Sequence, residues 1–75
     1  MNENDIEKLK EIFNIFSSAS GIQAHYDFMI KEKDLIVFSD KKVIPAQLIF
    51  LISEIFIFEG ISISDNVPLA VYSFK

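Results

Sequence analysis

The stretch from Val43 to Gly60, VIPAQLIFLISEIFIFEG, constrains this chain more than any other part of it. Drawn as a helix, it is apolar on nearly every side. A chain of 75 residues has too little protein to wrap such a segment all round. Domains of this size bury only about 60% of the surface their unfolded chains expose. So either a second copy or another protein covers part of the segment, or a large apolar patch stays open.

Local signals favour a helix over 45–59. Pro45 suits a first helical turn, where its missing N–H costs nothing, and Gly60 suits a helix end. The Ile and Phe content also favours strands, so two short strands are the alternative. Stepped at about 100° per residue, Leu48, Ile49, Ile52, Ile55 and Phe56 form a broad inward arc. Gln47, Ser53 and Glu54 lie opposite, with Phe50, Leu51, Ile57 and Phe58 beside them. In one reading the first helix or a curled sheet covers these four. In the other, Phe50, Leu51, Glu54, Ile57 and Phe58 form a protein interface. Four such side chains exposed at roughly 100 Å² each make a patch near 400 Å², as large as the largest on a typical monomer. At about 25 cal/mol per Å², covering them adds roughly 10 kcal/mol of gross stabilisation before the losses of association.

The rest of the chain reads more simply. Ile6, Leu9, Ile12, Phe13 and Phe16 recur at helical spacing, which predicts a first helix over 4–18. Asn4 and Glu7 have the spacing of a capping box, and Gly21 suits the helix end. From Ile22 the period becomes two. Ile22, Ala24, Tyr26, Phe28 and Ile30 point inward; Gln23, His25, Asp27, Met29 and Lys31 form a wet face. A polar tip at 31–34 leads to a return strand, Leu35 to Phe38, and so to a hairpin. Ile61 to Ser64 and Leu69 to Phe74 alternate again. The expected fold is α+β: a small single-layer antiparallel sheet of three to four strands with two helices packed on one face, in the order α-β-β-α-(β)-β. It forms one domain over 1–75 without internal repeats.

Composition narrows the function classes. The seven basic residues are all Lys, there is no Arg, and the net charge is −4. Bidentate base and phosphate contacts favour Arg, and phosphate binding needs a basic footprint, so no direct nucleic-acid partner is expected. The apolar run is shorter than the roughly 20 residues of a membrane span, and the polar N-terminus has no signal-peptide pattern. A soluble, cytoplasmic protein with no membrane partner follows. With no Cys and one His, neither disulfides nor a zinc site are expected. Glu3, Asp5, Glu7 and Glu11 read as the exposed side and favourable dipole end of the first helix, and as an acidic contact face, rather than as metal ligands. Gly21 and Gly60 stand alone, so no phosphate loop exists. No cofactor is expected. His25 and Asp27 are two apart, half of an acid–base site at most, with a solvated strand face as the plainer account.

These observations lead to a small acidic, non-enzymatic protein-binding domain. It is expected to be a homodimer and to serve as a regulatory accessory factor or inhibitor. The Ile, Lys, Asn and Phe bias resembles that of AT-rich genomes, including those of phages and mobile elements; a viral origin would make the host cytoplasm its setting. Its target would be another protein, one with a basic surface. The alternative is a structural subunit of a larger assembly that docks through the second helix.

Overall fold

The computed structural model describes residues 3–19 and 24–75. In chain order the elements are α1 (Glu3–Ala19), β1 (Tyr26–Lys31), β2 (Asp34–Ser39), α2 (Ala46–Ser53), β3 (Ile57–Ser64) and β4 (Val67–Ser73). They form an α+β fold with one four-stranded sheet in the order β1-β2-β4-β3, antiparallel at every pairing. Two αββ units therefore meet at β2 and β4. Antiparallel pairing of equivalent strands relates the units by an approximate two-fold axis normal to the sheet. The sequence shows no repeat, yet the topology contains one.

Both helices lie on the same face. Leu9 and Phe13 of α1, Leu48 and Ile52 of α2, and the following Phe56 are buried with Leu35, Val37, Ala70 and Tyr72. The strand residues alternate, as a half-covered sheet requires. The shortest dimension is 17 Å, about one helix layer on one sheet. Phe13 meets the rings of Tyr26 and Phe28 at 6.2 and 6.3 Å, which seats α1 over β1.

α1 agrees with the periodicity, but Asn4 is a helical residue rather than the cap. Gly21, Ile22 and Gln23, read as helix end and strand start, lie outside the described residues. Ala24 and His25 precede β1 and are not part of it.

The largest departure concerns the second apolar segment. It is neither one long helix nor two strands. The helix α2 spans Ala46–Ser53, capped by Pro45 in an extended conformation (φ −63°, ψ 143°). Its end is tied off by Ile55 and Phe56 N–H groups donating to the Ile52 carbonyl at 3.0 and 2.9 Å. Lys75 Nζ donates to the Glu54 carbonyl at 2.8 Å. The chain then turns and pairs Ile57 with Ser73 and Phe58 with Tyr72. A longer helix would leave that edge of β4 without a ladder, whereas strand pairing satisfies both chains. Gly60 sits beside a register shift in β3 at φ 148°, a conformation open to glycine and strained for other residues. It is not a helix cap.

The turn into β4, Asp65-Asn66, has positive φ at both positions (51° and 65°), as a two-residue type I′ hairpin requires. Pro68, next in β4, pairs with Ile63. The β2–β4 ladder ends at Val37↔Ala70, so the missing N–H of Pro68 takes no bond from β2.

Tyr72 joins the layers. Its hydroxyl donates to the Ile49 carbonyl at 3.1 Å, and burial pushes its pKa up to about 12. A raised pKa means the neutral form is favoured by folding. That contribution is complete below the ordinary tyrosine value near pH 10 and is lost as pH rises towards 12. The Ile49 carbonyl also accepts from Ser53 Oγ at 2.7 Å, so removing the tyrosine hydroxyl does not orphan it. Tyr72→Phe is therefore expected to cost about 0.5–1.5 kcal/mol at pH 7. Urea midpoints should fall less between pH 10 and 12 in Tyr72→Phe than in the parent chain; an equal fall in both would remove Tyr72 from the alkaline transition.

Candidate protein interface

The residues expected to form an interface are all exposed, but they do not share one surface. Phe50 is 70% exposed on α2, on the side away from the buried Leu48 and Ile52. Leu51 and Glu54 face α1 instead, lining an open groove with Ile12, Ile15 and Ile55, flanked by Lys8 and Glu11. Ile57 and Phe58 belong to β3. Phe58 points to the helix side, its ring 5.4 Å from that of Tyr72. Ile57 pairs with Ser73 and so points to the opposite side. Phe50 and Ile57, seven residues apart, would be neighbours on a helix; here the sheet separates them.

On α1, Glu3, Glu7 and Glu11 are exposed and Asp5 is partly buried. The three glutamates recur every fourth residue, one turn apart. Lys10 lies beside Glu3 and Glu7, and Lys8 beside Glu11, so the helix is a mixed-charge face with an acidic excess.

β3 concentrates what the sequence reading missed. It is an edge strand, and its large side chains Ile57, Phe58, Ile61 and Ile63 are 47, 40, 49 and 73% exposed. Phe58, Ile61 and Ile63 pair with Tyr72, Ala70 and Pro68, on the helix side of the sheet but beyond the cover of α2. The alternation of Ile61 and Ile63 was visible in the sequence; that β3 is the last strand of the sheet among the described residues was not.

The face without helices is also apolar at its centre. Met29 pairs with Ile36 and Ile36 with Val71, while Phe38 and Leu69 have the same orientation one step along. Met29 is exposed; Ile36, Phe38, Leu69 and Val71 are half-buried. The expected wet face is real at Asp27 and Lys31 of β1 but ends at the central strands. β2 and β4 are apolar on both faces, a pattern of strands covered twice.

His25 and Asp27 are engaged in separate local bonds. The His25 backbone N–H donates to Asp40 Oδ1 at 2.9 Å, and Asp40 N–H returns to the His25 carbonyl at 3.1 Å. The bond from the His25 backbone N–H to its carboxylate, with the Lys41 charge nearby, holds the Asp40 carboxyl below its ordinary range. Asp27 Oδ1 accepts from Phe28 N–H at 2.8 Å. Among the described residues, no group of three or more His, Cys, Asp or Glu could hold a metal ion. None of the described helices is long and apolar enough to cross a membrane.

No family model, curated protein or solved structure matches the chain.

Proposed function

We propose that this chain is a cytoplasmic, non-enzymatic protein-binding domain that works as a homodimer, an accessory factor or inhibitor of another protein. One observation carries the reading: large apolar side chains stand exposed along α2 and the edge strand β3. In a monomer Phe58, Ile61 and Ile63, which share the helix side of that edge, would stay in water. The exposed Glu3, Glu7 and Glu11 on α1, with a net charge of −4, favour a target with a basic surface.

A second reading, a subunit of a larger assembly, draws support from the apolar centre of the open sheet face, at Ile36, Phe38, Leu69 and Val71. There a permanent partner would add a second layer. Sedimentation at tens of micromolar tests the proposal. A dimer is the expected result. A monomer that binds no apolar dye would overturn it, and insolubility without a partner would favour the subunit.

A further inference from the structure

We infer that the free edge of β3 is the homodimer interface: two copies pair β3 with β3, antiparallel about a two-fold axis at Ser62, to make one continuous eight-stranded sheet. This rests on the dimer reading above and names its surface.

Backbone geometry comes first. The two-residue turn Asp65-Asn66 makes Ser64 and Val67 the closing hydrogen-bonded pair. Ser62 and Gly60, two and four residues back, also bond inward to β4. The N–H and C=O groups of Ile61 and Ile63 therefore point outward, where no strand lies among the described residues. Such an edge is a template for another strand.

The two edges of the sheet differ in a telling way. β1 carries Asp27 and Lys31 and ends on the charged turn Glu32-Lys33, the usual protection against edge pairing. β3 is longer, and its only charge, Glu59, is turned away from the edge: Ser73 Oγ donates to Glu59 Oε1 at 2.7 Å. From Gly60 to Ser64 the strand is uncharged.

Why a second copy rather than a foreign strand? The unbulged segment of β3 complements itself. A two-fold axis at Ser62 sets Ile61 against Ile63 of the second copy, and the reverse, as hydrogen-bonded pairs. Gly60 meets Ser64, and Ser62 meets Ser62. No charges meet within those pairs; the flanking Glu59 and Asp65 lie outside them, at the bulge and in the turn. On the helix side the four isoleucines form one cluster between the two α2 helices, covering the side chains that α2 leaves exposed. The operation repeats the one that joins β2 to β4 within the chain.

The chain has no cysteine, so single cysteines report position cleanly. The axis makes Ser62 a non-hydrogen-bonded pair with its own copy, with Cα atoms about 4.5 Å apart, within disulfide range. Ser64 sits four register positions from its own copy, far outside it. Mild oxidation should cross-link Ser62→Cys and leave Ser64→Cys monomeric on a non-reducing gel. Ile63→Lys, at a side chain that is mostly exposed, should weaken the dimer at least tenfold in sedimentation while keeping a native circular-dichroism spectrum. Met29→Lys, on the open face, should leave it intact. A parent dimer that survives Ile63→Lys, with cross-linking at neither serine or equally at both, would overturn the edge pairing and leave the dimer reading standing. Dissociation by Met29→Lys and not by Ile63→Lys would overturn it in favour of stacked sheets. A monomeric parent chain would end both.

Discussion

Ile52→Asn is expected to leave the chain unfolded at room temperature, while Phe50→Gln, two residues away on the same helix, is expected to leave it folded. Ile52 is fully buried among Leu9, Phe13, Leu35 and Tyr72, whereas Phe50 is 70% exposed. Removing the Ile52 packing costs about 2–5 kcal/mol. An unpaired buried amide adds roughly 1–3 kcal/mol. A single core in a domain this small rarely supplies more than about 3–5 kcal/mol, so the loss matches or exceeds the whole stability. At Phe50 the change should stay within about 0.5 kcal/mol. Circular dichroism and urea titration below the dimer concentration separate the two. A folded Ile52→Asn with an unchanged midpoint would mean that α2 is not seated on the sheet as described.

The inward arc of α2 was legible because it obeys a rule that needs no partner: Leu48 and Ile52 are one turn apart, and both are buried. The same holds for Leu9 and Phe13 on α1 and for Leu35 and Val37 on β2. The point where the apolar run stops being helical was not legible. Residues 9–16 read LKEIFNIF and residues 51–58 read LISEIFIF. The first is helical throughout. The second leaves the helix at Ser53. Without a polar residue equivalent to Asn14, Ile55 to Phe58 is an unbroken apolar run that suits a strand as well as a helix, and an edge of β4 lies within reach to reward a strand. Local pattern allowed both states, and pairing some fifteen residues further along the chain decided between them.

The same gap explains the interface. Exposure of Phe50, Leu51, Glu54, Ile57 and Phe58 followed from there being too little chain to cover them. Their grouping did not, because it depended on the helix running to Glu59. At His25 and Asp27 the spacing said nothing of the bonds they make: His25 is held to Asp40 through its backbone, and the Asp27 carboxylate accepts from Phe28 N–H.

The switch from α2 to β3 can be tested at the two phenylalanines that follow the helix. On a continuing helix Phe56 and Phe58 would point about 200° apart. Phe56 is 1% exposed and packs edge-on against Phe74 with ring centres 6.0 Å apart. Phe58, 40% exposed, lies over Tyr72 at the sheet edge. Phe56→Ala should therefore cost about 3–5 kcal/mol, enough to unfold much of the population. Phe58→Ala, which leaves no enclosed cavity, should cost about 1–2 kcal/mol, mostly its contact with Tyr72. A double-mutant cycle between Phe56 and Phe74 should return a coupling of about 0.5–1.5 kcal/mol, run with Phe→Leu changes so that every corner stays folded. Coupling of Phe74 to Phe58 instead, or equal losses at Phe56 and Phe58, would place the chain reversal elsewhere. The outward-facing pair Ile61 and Ile63 would then lose the register that aims their backbone at the free edge.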